Sequence, residues 1–282
     1  MSARASQAAS PRPTLGVVIR FKNSAATLPS VLEALRRQTL QPDLILGVNN
    51  QSADGSADLL LAAGAKVIDW TERYSHARVL NFALRHCPTD LVLVLSSHTV
   101  LRSSDAIAKL VTALSDPRTA CASGKWDDDP FYSDAIDWAE LQGRGLKFGS
   151  IYTNSMGVLR RALWEQTPFD ETLPTMEDSA WALEQVRKGH LCRRVTFDFS
   201  YGRSGKERFF VFALLTFKLA ARHNLRVAWL GPRQTAACLA AGLSNRLRTW
   251  LRPTEDNREL RLHRERLWAW LTWRWRSLPA AE

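Results

Sequence analysis

The chain has 282 residues, 45% of them apolar and 23% charged, and a formal net charge of +10. That length and apolar share exclude a disordered chain and suit one large domain, alone or with an appendage. The basic excess fits nucleic acid, anionic lipid headgroups or phosphate-bearing substrates equally well.

Cys87, Cys121, Cys192 and Cys238 are widely spaced and form no CxxC pair, the pattern of reduced thiols rather than of a disulfide framework or zinc cluster. Residues 1–14 carry arginines but no apolar h-region follows them, so they read as a flexible tail, neither signal peptide nor anchor, and the compartment reads as cytoplasmic.

In chain order, "LGVVIRF" at 15–21 predicts a buried strand, and "SAATLPSVLEALRRQ" a helix with Leu28, Val31, Leu32 and Leu35 on one face. "DLILGVNN" is the second strand, "SADLLLAAG" a helix closed by Gly64, and "AKVIDW" a short third strand. "HARVLNFALRHC" is a helix and "DLVLVLSS" the fourth strand. Alternating strands and helices rich in Val, Leu and Ile predict an α/β fold with a mostly parallel sheet covered on both faces. Ligands bind such sheets at the carboxyl ends of the strands. Three polar exits therefore share one rim: Arg20 to Asn23, Asn49 to Ser56, and Ser96 to Thr99.

Farther on, "SSDAIAKLVTALSD" predicts a helix, and the pattern is irregular through "GKWDDDPFYSDAIDWAELQGRGLKFGS". The three consecutive carboxylates of "WDDDP" point in different directions and mark a solvated loop. "IYTNSMGVLRRALWEQ" reads as strand into helix, and "EDSAWALEQVRKGH" as a helix stopped by Gly189. "FFVFALLTFKLAA" at 209–221 is broken by Lys218 and is shorter than the ~20 residues that a bilayer span needs; it predicts a buried or interfacial helix.

The last segment is rich in arginine and holds five of the eleven tryptophans. Plotted as a helix, "RELRLHRERLWAWLTWRWRS" gathers Leu260, Leu267, Trp268, Leu271 and Trp275 on one side, with Arg264 intruding. Tryptophan flanked by arginine suits a segment lying on a membrane surface. A helix packed on its own domain or on a second subunit has the same composition. Stacking of single-stranded nucleic acid ranks below both, since no RRM or OB pattern accompanies it, and nucleic acid is not the expected partner.

Five segments in order resemble glycosyltransferase family 2 and its nucleotide-sugar-binding glycosyltransferase A fold, over roughly residues 15 to 205. "VVIRFKN" resembles the opening strand and nucleotide loop, and "GVNNQSADGS" the turn that usually reads V-D-x-x-S-x-D-G-[ST]. "YSHARVLNFAL" resembles the helix with N-x-[AG], and "LVLVLSSHTVL" occupies the place of the metal-binding D-x-D. "TNSMGVLRRALWEQTPFDETLPTMEDSAWALEQVRKGH" resembles the acceptor-side segment that ends in a Glu-Asp pair followed by Trp and Gly.

The resemblance implies a Rossmann-like glycosyltransferase A domain over 15–208 and a helical, basic, Trp-rich appendage over 209–282. It implies inverting transfer of a sugar from a nucleotide-sugar donor to a hydroxyl of a glycan or lipid-linked acceptor. Bacterial surface polysaccharide synthesis is the usual setting, with the protein cytoplasmic or peripheral on the inner membrane face. Carried over residue by residue, Asp178 is the base for the acceptor proton and Glu177 orients it or binds the acceptor. Arg20, Asn23, Asn49, Gln51, Asp54, Arg78, Asn81, Ser96 and Ser97 fall on the nucleotide-sugar side. Asn154 and Trp181 fall on the acceptor side, Trp181 either stacking on a sugar or closing the core. Arg160 and Arg161 either face phosphates or acceptor or begin a solvated helix.

Three departures matter. Asn49 stands where the family usually has an aspartate contacting the nucleoside. Ser96-Ser97-His98 replaces D-x-D, as in a subgroup with S-x-H, which makes His98 the expected ligand of a divalent cation, Mn²⁺ or Mg²⁺. Loss of two carboxylates weakens hard-cation binding, and "FDFSYGRSG" lacks the further histidine the family often has there. A cation would then be held mainly by the diphosphate, or Arg203, Lys206 and Arg208 would supply the charge instead. The missing carboxylates also motivate one alternative, a non-catalytic glycosyltransferase-like binding or assembly subunit, which the retained Glu177-Asp178 pair opposes; the Trp- and Arg-rich tail motivates another, a basic membrane- or nucleic-acid-binding protein.

Overall fold

The computed structural model describes residues 12–125, 130–147, 151–202 and 209–228. Strands β1 (Leu15–Phe21), β2 (Leu44–Asn49), β3 (Lys66–Asp69) and β4 (Leu91–Ser96) alternate with helices α1 (Leu28–Arg36), α2 (Ser56–Ala62) and α3 (His76–Arg85). Then follow β5 (Thr99–Leu101), α4 (Ala106–Ala113), β6 (Thr119–Gly124), β7 (Ala135–Ile136) and α5 (Trp138–Arg144). The rest are β8 (Met156–Arg160), α6 (Arg161–Gln166), α7 (Glu177–Arg187), β9 (Leu191–Val195), β10 (Phe199–Tyr201) and α8 (Phe209–Arg222). The main sheet runs β3-β2-β1-β4-β8-β6-β9-β7, while β10 and β5 pair separately. β1 to β4 are mutually parallel, and β8 lies antiparallel between β4 and β6. This is the α/β fold expected, with a mostly parallel sheet.

Strand side chains alternate faces, and here that alternation divides the core in two. Val17 and Ile19 of β1 with Leu93 and Leu95 of β4 pack against Leu28 and Val31 of α1 and Leu110 of α4. Val18 of β1 with Val92 and Val94 of β4 join Leu80 and Leu84 of α3 and Leu183 and Val186 of α7 on the other face. The register carries this to the rim, where Arg20 lies beside Ser96. Two residues past Val18 and Val94, both face α3 and α7, while Ser97 turns toward α1.

Because β8 runs opposite to β4, residues 153–155 sit at the same rim, and Ser96 N–H donates to Ser155 O at 3.0 Å. The other end of β8 lies far from it. Arg160 there donates to the carbonyls of Thr119 and Asp116, and Arg161 pairs with Glu165 at 2.8 Å. Neither arginine is on the ligand rim, so the solvated-helix-start alternative describes them better than phosphate contact.

Strands β5, β6, β7 and β9 escaped the sequence pattern, and β6 and β9 lie inside the main sheet. β6 is "TACASG", small and polar yet buried throughout, and β9 is "LCRRV"; neither shows the β-branched run that marks a central strand. Helix α8, beyond the boundary expected at residue 208, packs on the sheet domain. Leu215, Leu219 and Ala220 of α8, and Leu225 beyond it, enter the same core cluster as α3 and α7, and Arg222 reaches Asp170. Residues 229–282, including the Trp-rich segment, lie outside the described residues, as do residues 1–11, 126–129, 148–150 and 203–208. Among the described residues no helix is long and apolar enough to cross a membrane.

Candidate active site

Sequence places polar residues at the ends of β1, β2 and β4, and the fold bolts these loops together. Asn23 and Gln51 both adopt left-handed backbone, at φ 46 and 57, the conformation that turns each loop sharply at the rim. Asn23 N–H donates to Ser52 Oγ and its side chain accepts from Ala53 N–H. Asp54 accepts from Ala25 N–H at 2.9 Å and from the Ser56 hydroxyl and N–H. These bonds, Ser56's hydroxyl foremost, hold its carboxyl below the ordinary carboxylate range. Ser56 in turn accepts from Ser24 N–H at 2.7 Å, Ser24 Oγ meets Ser97 Oγ at 2.9 Å, and Thr27 donates to Ser97 O at 2.7 Å. Asn49 accepts from Ser52 N–H and donates to Asp69, both at 2.9 Å, and Gln51 donates to Thr71 O at 3.2 Å.

Opposite this frame stands the carboxylate pair that opens α7. Its N-cap, Met176, is buried and left-handed at φ 64, a strained conformation for that residue, and it aims the first turn back at the rim. Glu177 is 4% exposed and lies 3.8 Å from Arg20 and 3.4 Å from the Asn154 amide. Asp178 accepts from Asn154 N–H at 3.0 Å and from Ser179 N–H at 2.7 Å. Burial first, and the charge of Glu177 second, push Asp178 up to about 7, against the pull of those two N–H groups and of Arg20. A carboxyl poised there takes a proton at neutral pH, which an ordinary aspartate cannot do efficiently. Beside the pair, Tyr152 OH and Asn154 Oδ1 are buried with no hydrogen-bond partner among the described residues. Burial, and after it nearby negative charge including that of Asp178, pushes the Tyr152 phenol up.

Residues 16–167 match the profile of glycosyl transferase family 2. The chain belongs to glycosyltransferase family 2. This glycosyltransferase is 25% identical, over 68% of each chain, to the O-antigen chain rhamnosyltransferase RfbN of Salmonella typhimurium. Its fold is similar to that of the mannosyltransferase PcManGT of Pyrobaculum calidifontis, solved with GDP-Man and Mn²⁺, at TM-score 0.63 and 17% identity, over 95% of this chain and 89% of that one. Glucosyl-3-phosphoglycerate synthase of Mycobacterium tuberculosis, solved with Mn²⁺ and UDP, aligns at TM-score 0.57 and 16% identity, over 76% of this chain and 81% of that one.

On the glycosyltransferase rim, Asn23, Asn49, Gln51, Asp54 and Ser97 gather on the α1 side, Arg20, Ser96, Asn154, Glu177 and Asp178 on the α7 side, and His98 follows at the end of β4. Arg78 is half-buried, its guanidinium 5.7 Å from the Trp70 ring centre and paired with Glu72. Two residues lie elsewhere. Asn81 is buried with its amide spent on Phe169 O, Glu171, Trp164 Nε1 and Phe169 N–H, so it braces the loop before α7. Trp181 is 3% exposed, donates to Thr167 O at 2.7 Å and packs on Tyr152 and Phe169; it closes the core, as one of its two sequence readings had it.

Sequence reasoning passed over Tyr152, and also His76 and Tyr74, which follow β3. The signal was available, since β3 ends at the same rim and its exit is a fourth polar loop. For a cation, the described residues offer one imidazole and two hydroxyls at 96–98, and the Ser97 hydroxyl is already bonded to Ser24. Among the described residues no three His, Cys, Asp or Glu side chains converge as a metal cage. His98 meets the Tyr201 ring at 4.7 Å. This donor set does not by itself fit a hard divalent ion.

Proposed function

We propose that this glycosyltransferase moves a sugar, with inversion, from a nucleotide-sugar to a hydroxyl of a glycan or lipid-linked acceptor, in the building of a bacterial surface polysaccharide. The observation that carries the reading is Asp178, half-buried, paired with the buried Glu177 and poised near neutrality on the ligand rim. The Salmonella relative's activity as an O-antigen chain rhamnosyltransferase supports the polysaccharide setting. Asp178 takes the proton of the acceptor hydroxyl as that oxygen bonds to the anomeric carbon. The bond from that carbon to the diphosphate oxygen breaks, and its electrons leave with the nucleoside diphosphate. Asn154 holds both carboxylates in place through its backbone and side-chain amides. Its unpartnered Oδ1 suits a donor hydroxyl of the acceptor.

The charge leaving on the diphosphate needs cationic stabilisation. Arg203, Lys206 and Arg208 carry such charge in the sequence and lie outside the described residues. A divalent cation, Mn²⁺ or Mg²⁺, is the expected cofactor; both solved relatives named above hold Mn²⁺. His98 is the residue that would touch it, with most of the remaining ligands supplied by the diphosphate. The site of action in this reading is cytoplasmic, with the Trp-rich segment beyond 228 resting on the inner membrane face.

Calorimetric titration of the purified chain with UDP, GDP, dTDP and CMP, each with and without Mn²⁺, tests the reading. One nucleotide is expected to bind and to tighten with Mn²⁺, and His98→Ala to lose that tightening. Binding of none of them favours instead the non-catalytic assembly subunit that the absent D-x-D carboxylates suggest.

A further inference from the structure

Arg20 entered as a residue of the nucleotide-sugar side, and the fold gives it a different neighbourhood. Its side chain, 15% exposed, leaves the end of β1 on the face shared with α3 and α7 and reaches the first residues of both helices. Toward α7 it lies 3.8 Å from Glu177 Oε1. Toward α3 its Nη1 lies 2.8 Å from His76 Nδ1. A guanidinium carries donors only and stays charged, so Nδ1 is the acceptor, the His76 proton sits on Nε2 and the ring is neutral. Tyr74 OH stands 3.1 Å from the same nitrogen. The cation is thus aimed from one side by a ring nitrogen and held on the other by a buried carboxylate.

We propose that Arg20 is a positioning residue for the carboxylate pair: with His76 fixing the direction of its guanidinium, it anchors Glu177 and sets a fixed positive charge beside Asp178.

The inference rests on the reading of Asp178 as the base, and it adds which group tunes that base and from where. A largely enclosed arginine left without an anion would be costly, and so would a buried carboxyl beside a half-buried one without a cation. The triad resolves both, and it ties β1, α3 and α7 together at the reaction rim. The groups that face Asp178 are Glu177 on its own helix, Arg20 on β1, Cys121 on β6 and Tyr152 before β8. Those facing Arg20 also include Tyr74 and Tyr201. Among the described residues that face Asp178, Arg20 is the one permanent cation, so its removal has a predicted sign.

The test follows the Asp178 carboxyl directly, without donor or acceptor. The full chain is labelled with ¹³Cγ-aspartate, the Asp178 resonance is assigned by its loss in Asp178→Asn, and pH titrations are compared. Arg20→Met, matched in length, is expected to move the Asp178 midpoint upward by about one pH unit or more, the effect of losing an opposite charge at this range. His76→Phe, which keeps the ring and removes the acceptor nitrogen, is expected to move it the same way by less. Circular dichroism establishes that each variant is folded. An unchanged midpoint in folded Arg20→Met overturns the proposal; if that variant does not fold, an unchanged midpoint in His76→Phe overturns it. Should Asp178→Asn keep full transfer activity while the midpoint still moves in Arg20→Met, the base reading falls and the electrostatic coupling stands, so the two failures are told apart.

Discussion

The two halves of the rim differ in how their polar groups are spent. From β1 to β4, Asn23, Asn49, Ser56, Asp54, Ser24 and Ser97 bond to one another and to loop backbone, so that half is a frame largely satisfied before any ligand arrives. At 152–154 and 177–178 the polar groups are enclosed but incompletely paired: among the described residues Asn154 Oδ1 and Tyr152 OH have no partner, and Asp178 is held far from its ordinary protonation. A satisfied frame fixes geometry, whereas unsatisfied groups carry free energy that a substrate can release. Placement and chemistry are therefore assigned to different stretches of one chain.

That contrast can be broken from its chemical side first. Asp178→Asn is expected to cut transfer by about 10²–10⁴-fold, the usual worth of a general base, with nucleotide affinity measured by calorimetry nearly unchanged. Undiminished turnover would remove the base from this half. In the parent, kcat/KM is expected to fall about tenfold per pH unit below about 7, as Asp178 takes up its proton; a flat profile from pH 5 to 8 contradicts this. On the frame side, Ser56→Ala leaves the buried Ser24 N–H unpaired and is expected to cost about 1–3 kcal/mol, read as a lowered Tm.

The smallest effect is a matter of sign. The folded midpoint of Asp178, about 7, lies above its unfolded one. Its contribution to stability is therefore complete below the unfolded midpoint near pH ~4 and is lost as pH rises toward about 7. The Tm of the parent minus that of Asp178→Asn should decline across this window. A difference that rises would mean the carboxyl is stabilised, not strained, by its site.

How much of this was legible in the sequence follows the same division. β1 to β4 were readable because each strand is a run of Val, Leu and Ile between helices with apolar stripes, and their exits marked the rim. β6 and β9 were not, because Thr119 to Gly124 and Cys192 to Arg194 are small or polar residues whose burial is imposed by the layers on either side. Asp178 was reached through a resemblance, not through periodicity, since acidic residues at a helix start are ordinary. The jobs of Asn81 and Trp181 depend on what lies across the fold, Phe169 and Thr167. Those contacts span 88 and 14 residues, and no local pattern encodes them. Arg20 shows the same limit: its position on the rim was readable, its partners on α3 and α7 were not.

The packing of α8 sets a rule for anyone who trims this chain for crystallisation or display. Leu215 and Leu219 share a core cluster with Met176, and Thr216 Oγ1 stands 3.9 Å from the Met176 sulfur. Met176 is the left-handed residue from which Glu177 and Asp178 are aimed. A cut near residue 208 would strip away the clamp on that hinge and leave the hydrogen-bonded frame of β1 to β4 standing. Such a shortened protein is expected to bind nucleotide and turn nothing over, whereas a cut beyond 228 keeps the clamp whole.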